Sequence, residues 1–130
     1  MNRLENMTQE SRRELLLKDL CARLPYGIKA SYYGADEECE TWDEVDGIAF
    51  GCVEIGQYSL PIERIKPYLF PLSSMTEEQK QEYQYLTERW MYDSSYSIGD
   101  SIDWLNAQHF DYRGFIEKGL AIDATGLNIY

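Results

Sequence analysis

One short segment of the sequence brings together side chains that could do acid–base chemistry. His109, Asp111 and Arg113 lie within five residues and supply a base, an acid and an anion-binding guanidinium. A histidine oriented by a carboxylate is a common general base, and a histidine can also activate a cysteine nucleophile. One hypothesis is therefore an enzyme whose site lies at residues 109–113.

The same residues have a structural interpretation, which we favour. The sequence holds one histidine and no Gly-x-Ser-x-Gly turn that could complete a catalytic triad. In the structural interpretation Asp111 and Arg113 stabilise a turn, while Phe110 and Phe115 pack in the core. The sequence therefore predicts no catalytic residue outright, and only the geometry of the segment could support one.

Aromatic side chains around this segment could form a binding surface. The candidate binding residues are Trp104, His109, Phe110 and Tyr112, because aromatic residues are enriched at interaction hot spots. At helical spacing such residues belong more often to a core. Stacking of nucleic-acid bases on them would require a cationic groove, which this chain does not supply.

No sequence pattern predicts a cofactor or a metal. Neither type of glycine-rich phosphate-binding loop occurs. Three scattered cysteines and one histidine do not form a zinc-binding pattern. The acidic run at residues 36–46 lacks the spacing of a calcium-binding loop. We expect no cofactor and no metal site.

The charge balance indicates what kind of partner the protein has. Lys and Arg number 12 and Asp and Glu number 23, which gives a net charge of −11. This charge repels nucleic acids and anionic membranes, so we expect neither as a partner. A protein with a basic surface is the partner that the charge favours. The leading hypothesis is a small protein-interaction or accessory module, and the enzyme is the alternative.

The elements that position these residues follow from hydrophobic periodicity. Leu16, Leu20 and Leu24 form an apolar stripe behind a capping box at Ser11, which predicts an N-terminal helix. Alternation predicts strands at residues 28–33 and 48–55, and a second capping box at Thr76 predicts a helix over residues 77–91. Three prolines within residues 61–71 predict that residues 60–72 form an extended, packed connector.

These elements predict an α+β fold. We expect a small antiparallel sheet of three to four strands, packed by the N-terminal helix, with a helical C-terminal half. Residues 1–130 suit a single domain. Within it, residues 1–7 are predicted to be a flexible extension, and residues 35–46 an acidic loop with at most a short strand around residues 42–45.

Compartment is predicted from the cysteines and from the beginning of the sequence. The cysteine count is odd, which disfavours a disulfide framework. The only early apolar run, residues 15–17, is too short for a secretory signal. We therefore expect a cytoplasmic protein.

Three segments, residues 17–27, 65–78 and 103–120, resemble a group of short uncharacterised proteins of gut Bacteroides-type bacteria and their phages. The resemblance implies an accessory role in a bacterial, phage or mobile-element genome. Members of that group often carry Arg where Phe70 stands and His where Gln108 stands, so this chain would lack half of any histidine pair. They also tend to begin near Met7, so the native start is Met1 or Met7.

Overall fold

The computed structural model describes residues 8–33, 40–89, 91–92 and 98–130. These residues form a mixed α+β structure, which confirms the predicted class. The helices are α1 (Gln9–Arg23), α2 (Glu77–Arg89) and α3 (Ile98–Ala107), and the strands are β1 (Lys29–Tyr33), β2 (Glu40–Ala49), β3 (Cys52–Ile55), β4 (Tyr58–Pro61), β5 (Ile65–Pro71), β6 (Phe110–Asp111) and β7 (Ile122–Asp123).

The sheet is larger than the predicted three to four strands, so that prediction is wrong. Its order is β4-β3-β2-β1-β5-β6, and β7 also pairs with β5. The strands β1 to β5 pair antiparallel, whereas β6 and β7 run parallel to β5. The predicted connector at residues 60–72 is largely strand. Pro61 and Pro71 stand at strand ends, and a strand tolerates Pro67 where its ladder needs no N–H.

The predicted helical C-terminal half is also wrong. After α3 the chain forms β6, a hydrogen-bonded turn at residues 115–119 and β7. Residues 110–111 and 122–123 form strands because β1 pairs with one edge of β5 only, and the backbone groups on its other edge need hydrogen-bond partners. Phe70 donates its N–H to the His109 carbonyl at 2.8 Å, and Ala124 donates its N–H to the Leu69 carbonyl at 2.8 Å.

Most of the predicted acidic loop that the structure describes is strand. Residues 40–46 belong to β2, so the loop prediction is wrong there except for the short strand expected around residues 42–45, while residues 35–39 and the predicted extension at residues 1–7 lie outside the described residues. Antiparallel pairing with β1 buries Val45 and leaves Asp43, Glu44 and Asp46 in solvent. Solvent screens their repulsion, so a strand can carry this charge.

The two predicted helices with capping boxes are present. Helix α1 begins one turn earlier than its predicted box, because the Thr8 hydroxyl oxygen accepts the Ser11 N–H at 3.1 Å. Helix α2 has the predicted box: Gln79 and Thr76 exchange backbone-to-side-chain hydrogen bonds at 2.9 and 3.1 Å. In the part of the chain that the structure describes, no helix is both long and apolar enough to span a bilayer.

Apolar cores lie on both faces of the sheet at β5. On one face α1 packs Leu16 and Leu20 against a core built mainly from β1, β3 and β5. On the other face a smaller core joins Tyr68 of β5 to Ala124 and Ile129, with Phe70 and Ile122 packed against it. The second core places residues 124–130 beside the end of α3, where His109 lies.

Candidate functional site

The chain leaves α3 through a turn centred on His109. Its backbone φ is 63°, in the left-handed region. Side chains are uncommon there, although His, Asn and Asp are tolerated better than most. The His109 N–H donates to the Asn106 carbonyl at 3.1 Å, and the next residue enters β6. The turn thereby carries the chain from helix to sheet within two residues of the helix end.

The imidazole of His109 is held against an aromatic ring. It is 9% exposed, and it stacks on Tyr130 with ring centroids 3.8 Å apart and an interplanar angle of 12°. Its Nδ1 is buried without a hydrogen-bond partner among the residues that the structure describes. Burial, together with the charges of Arg23 and Lys29, lowers the pKa of His109 from 6.5 to about 4. The ring is therefore neutral at pH 7.

Tyr130 is fixed by hydrogen bonds to the sheet. Its hydroxyl accepts the Lys29 N–H at 2.9 Å and donates to the Tyr68 carbonyl at 2.8 Å. Burial raises the pKa of Tyr130 above that of an ordinary phenol, so the hydroxyl stays protonated. The stacked pair is thus a rigid, uncharged wall that joins α3 to β1 and β5.

A cavity of about 430 Å³ lies beside this wall, and we call it the His109 cavity. Three aromatic rings line it besides the imidazole, those of Phe70, Phe110 and Tyr130. Its other polar side-chain groups are amides and hydroxyls, and the side chains that line it carry no charge at neutral pH. The lining residues are Phe70, Ser74, Gln79, Ala107, Gln108, His109, Phe110, Thr125, Gly126 and Tyr130.

Asp111 and Arg113, the proposed partners of His109, do not line the cavity. The two carboxylate oxygens of Asp111 accept the N–H groups of Phe115 and Ile116 at 3.0 and 2.9 Å, which caps the following turn. Arg113 donates its Nε to Asp19 at 2.9 Å. The three residues considered for catalysis therefore point to three different places, and no acid–base pair forms between them.

A buried ion pair in α1 anchors this segment, and the sequence analysis missed it. Arg23 donates its Nε to Asp19 at 2.9 Å and its Nη2 to the Phe110 carbonyl at 2.7 Å. Positions 19 and 23 continue the stripe of Leu16 and Leu20 at helical spacing. Charged residues on an apolar face are the signal that could have revealed the pair.

The remaining aromatic candidates are engaged within the fold. Trp104 packs between Tyr83 and Phe110, with ring centroids 5.9 and 5.8 Å away. Tyr112 donates its hydroxyl to Asn106 at 2.8 Å, and its ring lies under the Arg23 guanidinium at 5.2 Å. Of the four candidate binding residues, His109 and Phe110 line the cavity, and Trp104 and Tyr112 do not.

A second unusual position is the tip of the β2–β3 hairpin. Phe50 and Gly51 form its two-residue turn, with φ of 53° and 76°. A turn with two positive φ angles favours Asn-Gly, and a bulky side chain at its first position is strained. The Phe50 side chain is nevertheless fully exposed. Packing within the described chain therefore does not explain why phenylalanine stands there.

The strand that leads to this tip carries most of the described acidic run. Trp42 and Glu44 are exposed on one face of β2, Asp43 is exposed on the other face, and Asp46 is exposed near the hairpin; with Phe50 we call these residues the β2 surface. The indole of Trp42 lies 5.3 Å from the Lys29 ammonium, which also donates to the Ile129 carbonyl at 2.8 Å. The predicted single strand at residues 48–55 is wrong, because β2 ends at Ala49 and β3 begins at Cys52, with Phe50 and Gly51 as the turn between them.

The described part of the chain shows no ready-made metal centre. Within it, no three His, Cys, Asp or Glu side chains are grouped so that they could hold a metal ion. Cys21 and Cys52 are free thiols, and Cys39 lies outside the described residues.

Together, these features define a mixed α+β protein with an acidic strand surface and an uncharged aromatic cavity. Comparison with family models, with curated proteins and with solved structures finds no match.

Proposed function

We propose that the protein is a small acidic interaction module that binds a basic partner protein through its β2 surface. The observation that carries this proposal is Phe50, a fully exposed phenylalanine in a turn with left-handed backbone. A left-handed conformation costs an ordinary residue about 1–2 kcal/mol. An apolar residue that is both strained and exposed suggests that its side chain contacts another molecule and does not stabilise its own fold.

A pocket on a partner protein would explain why a phenylalanine occupies this strained and exposed position. Full burial of a phenylalanine side chain contributes about 2 kcal/mol, and aromatic anchors commonly dominate binding energy. The Phe50 ring is fully exposed, although Arg13 of α1 donates to the carbonyl of the neighbouring Gly51 at 3.2 Å, so a concave surface could enclose the ring. Trp42, half exposed on the same strand, offers a second aromatic contact.

The charges of the β2 surface specify the kind of partner. Asp43, Glu44 and Asp46 lie in solvent on one strand, and the whole chain carries −11. Carboxylates at the rim of an interface chiefly raise the association rate with a positively charged partner. We therefore expect the partner to have an apolar pocket surrounded by a basic surface.

We further propose that the module serves an accessory role in gut Bacteroides-type bacteria or their phages, in the cytoplasm. The support for this setting is the resemblance carried by residues 17–27, 65–78 and 103–120. The free thiols of Cys21 and Cys52 suit a reducing compartment. An enzyme at residues 109–113 has less support, because Asp111 and Arg113 are bonded elsewhere.

The test places a photo-crosslinking phenylalanine analogue at position 50 and irradiates the protein in a Bacteroides lysate at low salt. The same analogue at the exposed Glu117 is the matched control. We expect an adduct from position 50 alone, with a protein whose surface is basic. The purified partner should then bind the Asp43→Asn/Glu44→Gln/Asp46→Asn variant with an association rate at least about tenfold lower.

Two outcomes would overturn the proposal. One is an adduct that forms equally from Glu117 or that persists unchanged when the three carboxylates are neutralised. The other is the lack of any adduct from position 50 at low salt, where charge attraction is strongest.

A further inference from the structure

We infer that the His109 cavity is a binding site for a small, uncharged, planar ring that carries an amide, the class that includes nucleobases and aryl carboxamides. The inference concerns a different part of the molecule from the β2 surface and does not depend on the proposed partner. It rests on the shape and lining of the cavity and on two unfavourable features of His109.

The first unfavourable feature is the unpartnered nitrogen of the imidazole. Among the described residues the buried Nδ1 of His109 has no hydrogen-bond partner. Leaving such an atom unpaired costs about 1–3 kcal/mol. The ring lines the cavity, so a polar ligand there could pair with this nitrogen, either directly or after the ring flips about its bond to Cβ.

The second unfavourable feature is the backbone of the same residue. His109 adopts a φ of 63°, where glycine would be less strained, although histidine tolerates it better than most residues. Both features fall on one residue that faces a cavity. A fold without a ligand there would be more stable with another residue at this position, so a ligand that uses the imidazole explains both.

The lining of the cavity defines the chemistry of the ligand. A volume of about 430 Å³ lies within the usual range of ligand pockets. The rings of Phe70, Phe110 and Tyr130 favour a flat apolar body, since offset or edge-to-face aromatic contacts stabilise it.

The polar groups of the cavity favour a neutral ligand with donors and acceptors. Gln108 supplies an amide and Thr125 a hydroxyl beside the neutral imidazole. A charged ligand would lose its hydration without meeting an opposite charge among the lining residues. An amide on a planar ring can instead exchange hydrogen bonds with these groups while its ring stacks.

The test uses three probes of the same shape and different charge: benzamide (neutral), benzoate (anionic) and benzamidine (cationic), with uracil as a nucleobase. Binding to the isotope-labelled full chain is followed by amide chemical shifts. We expect benzamide and uracil to shift the resonances of Gln108, His109, Thr125 and Gly126 at sub-millimolar to millimolar concentration. Benzoate and benzamidine should bind at least about tenfold more weakly, which corresponds to about 1.4 kcal/mol.

A pair of variants tests the role of the imidazole. His109→Phe retains a ring against Tyr130 but removes both nitrogens, and it should weaken benzamide binding at least about tenfold. Gln84→Ala, on the exposed side of α2, should leave binding unchanged.

The four probes test the proposed binding site even if His109→Phe does not fold, because they are measured with the unmodified protein. Equal affinity for the three probes would overturn the inference. So would shifts that map away from the cavity, or no shift at several millimolar probe.

Discussion

Arg23 and Asp19, one helical turn apart in α1, form a buried ion pair that also binds the segment carrying His109. Arg23 Nε lies 2.9 Å from Asp19 Oδ2, and both residues are at most 1% exposed. Arg23 also donates to the Phe110 carbonyl, and Asp19 also accepts a hydrogen bond from Arg113. The first helix thus fixes the position of the turn beside the cavity.

Breaking this ion pair on one side should be costly. Arg23→Met leaves the buried Asp19 carboxylate with Arg113 as its remaining ion-pair partner within the described structure, and we expect a loss of about 3–4 kcal/mol in the free energy of unfolding. Urea denaturation measures it. Arg113→Gln should cost less, about 1 kcal/mol, because that side chain is partly exposed.

The double variant Asp19→Leu/Arg23→Met is the decisive comparison. Replacing both charges by apolar groups removes the uncompensated charge, so it should be less destabilised than Arg23→Met alone. A loss equal to the sum of those of Asp19→Leu and Arg23→Met, each measured alone, would contradict the ion-pair interpretation.

His109 should make stability depend on pH. Its pKa is about 4 in the folded chain against 6.5 ordinarily, so the unfolded state binds the extra proton between these values. The contribution of His109 to the free energy of unfolding is largest above pH 6.5, and it is lost as the pH falls from 6.5 to about 4. Between pH 7 and 5 the loss should reach about 2 kcal/mol.

His109→Asn serves as the reference for that measurement, because asparagine tolerates the left-handed backbone and does not titrate. Urea denaturation of both proteins at several pH values gives the difference. An identical pH dependence in the two proteins would show that His109 is not held neutral by burial.

Phe50→Asn should stabilise the protein while abolishing partner binding. Asn-Gly is the preferred sequence for a turn with two positive φ angles, so we expect a gain of about 0.5–1 kcal/mol. Chemical denaturation measures the gain, and Phe50→Leu, which keeps an apolar side chain in the strained position, should show none. A less stable Phe50→Asn variant would refute the assignment of strain.

The carboxylate of Asp111 should be required as a cap. Asp111→Ala leaves the N–H groups of Phe115 and Ile116 without their acceptor, and we expect a loss of about 2 kcal/mol. Asp111→Asn keeps one acceptor oxygen and should lose about half as much. Thermal denaturation measures both, and amide exchange at Phe115 and Ile116 should accelerate. Unchanged exchange at these two amides would exclude the capping role.

The sequence predicts those parts of the fold that have a local signal. The stripe of Leu16 and Leu20 predicts α1, the Thr76 box predicts α2, and alternation predicts β1. By contrast, β6 and β7 have two residues each, which is too short for any periodicity. They are strands because β5 lies beside them; the apolar residues 120–122 predict only a weak last strand, and no local pattern predicts β6.

The candidate site was predictable only in part, because most of its residues are distant from one another in the sequence. His109 and Phe110 were identified by their chemistry, and both line the cavity. The rest of its wall comes from the end of α3, from Phe70, Ser74 and Gln79, and from residues 125–130, which only the tertiary structure brings together. Asp19 and Arg23 were missed because charged residues four apart on a helix normally form an exposed pair.

The parallel pairing of β5 with β6 and β7 has a consequence for the order of folding. The hairpins of β1 to β4 join neighbours in sequence and can close while the chain is still being synthesised. The backbone groups of Leu69 and Phe70 must wait for residues 109–124 to leave the ribosome. Until then β5 presents an open strand edge that another nascent chain could pair with. The residues that complete the cavity therefore also close this aggregation-prone edge once they have emerged.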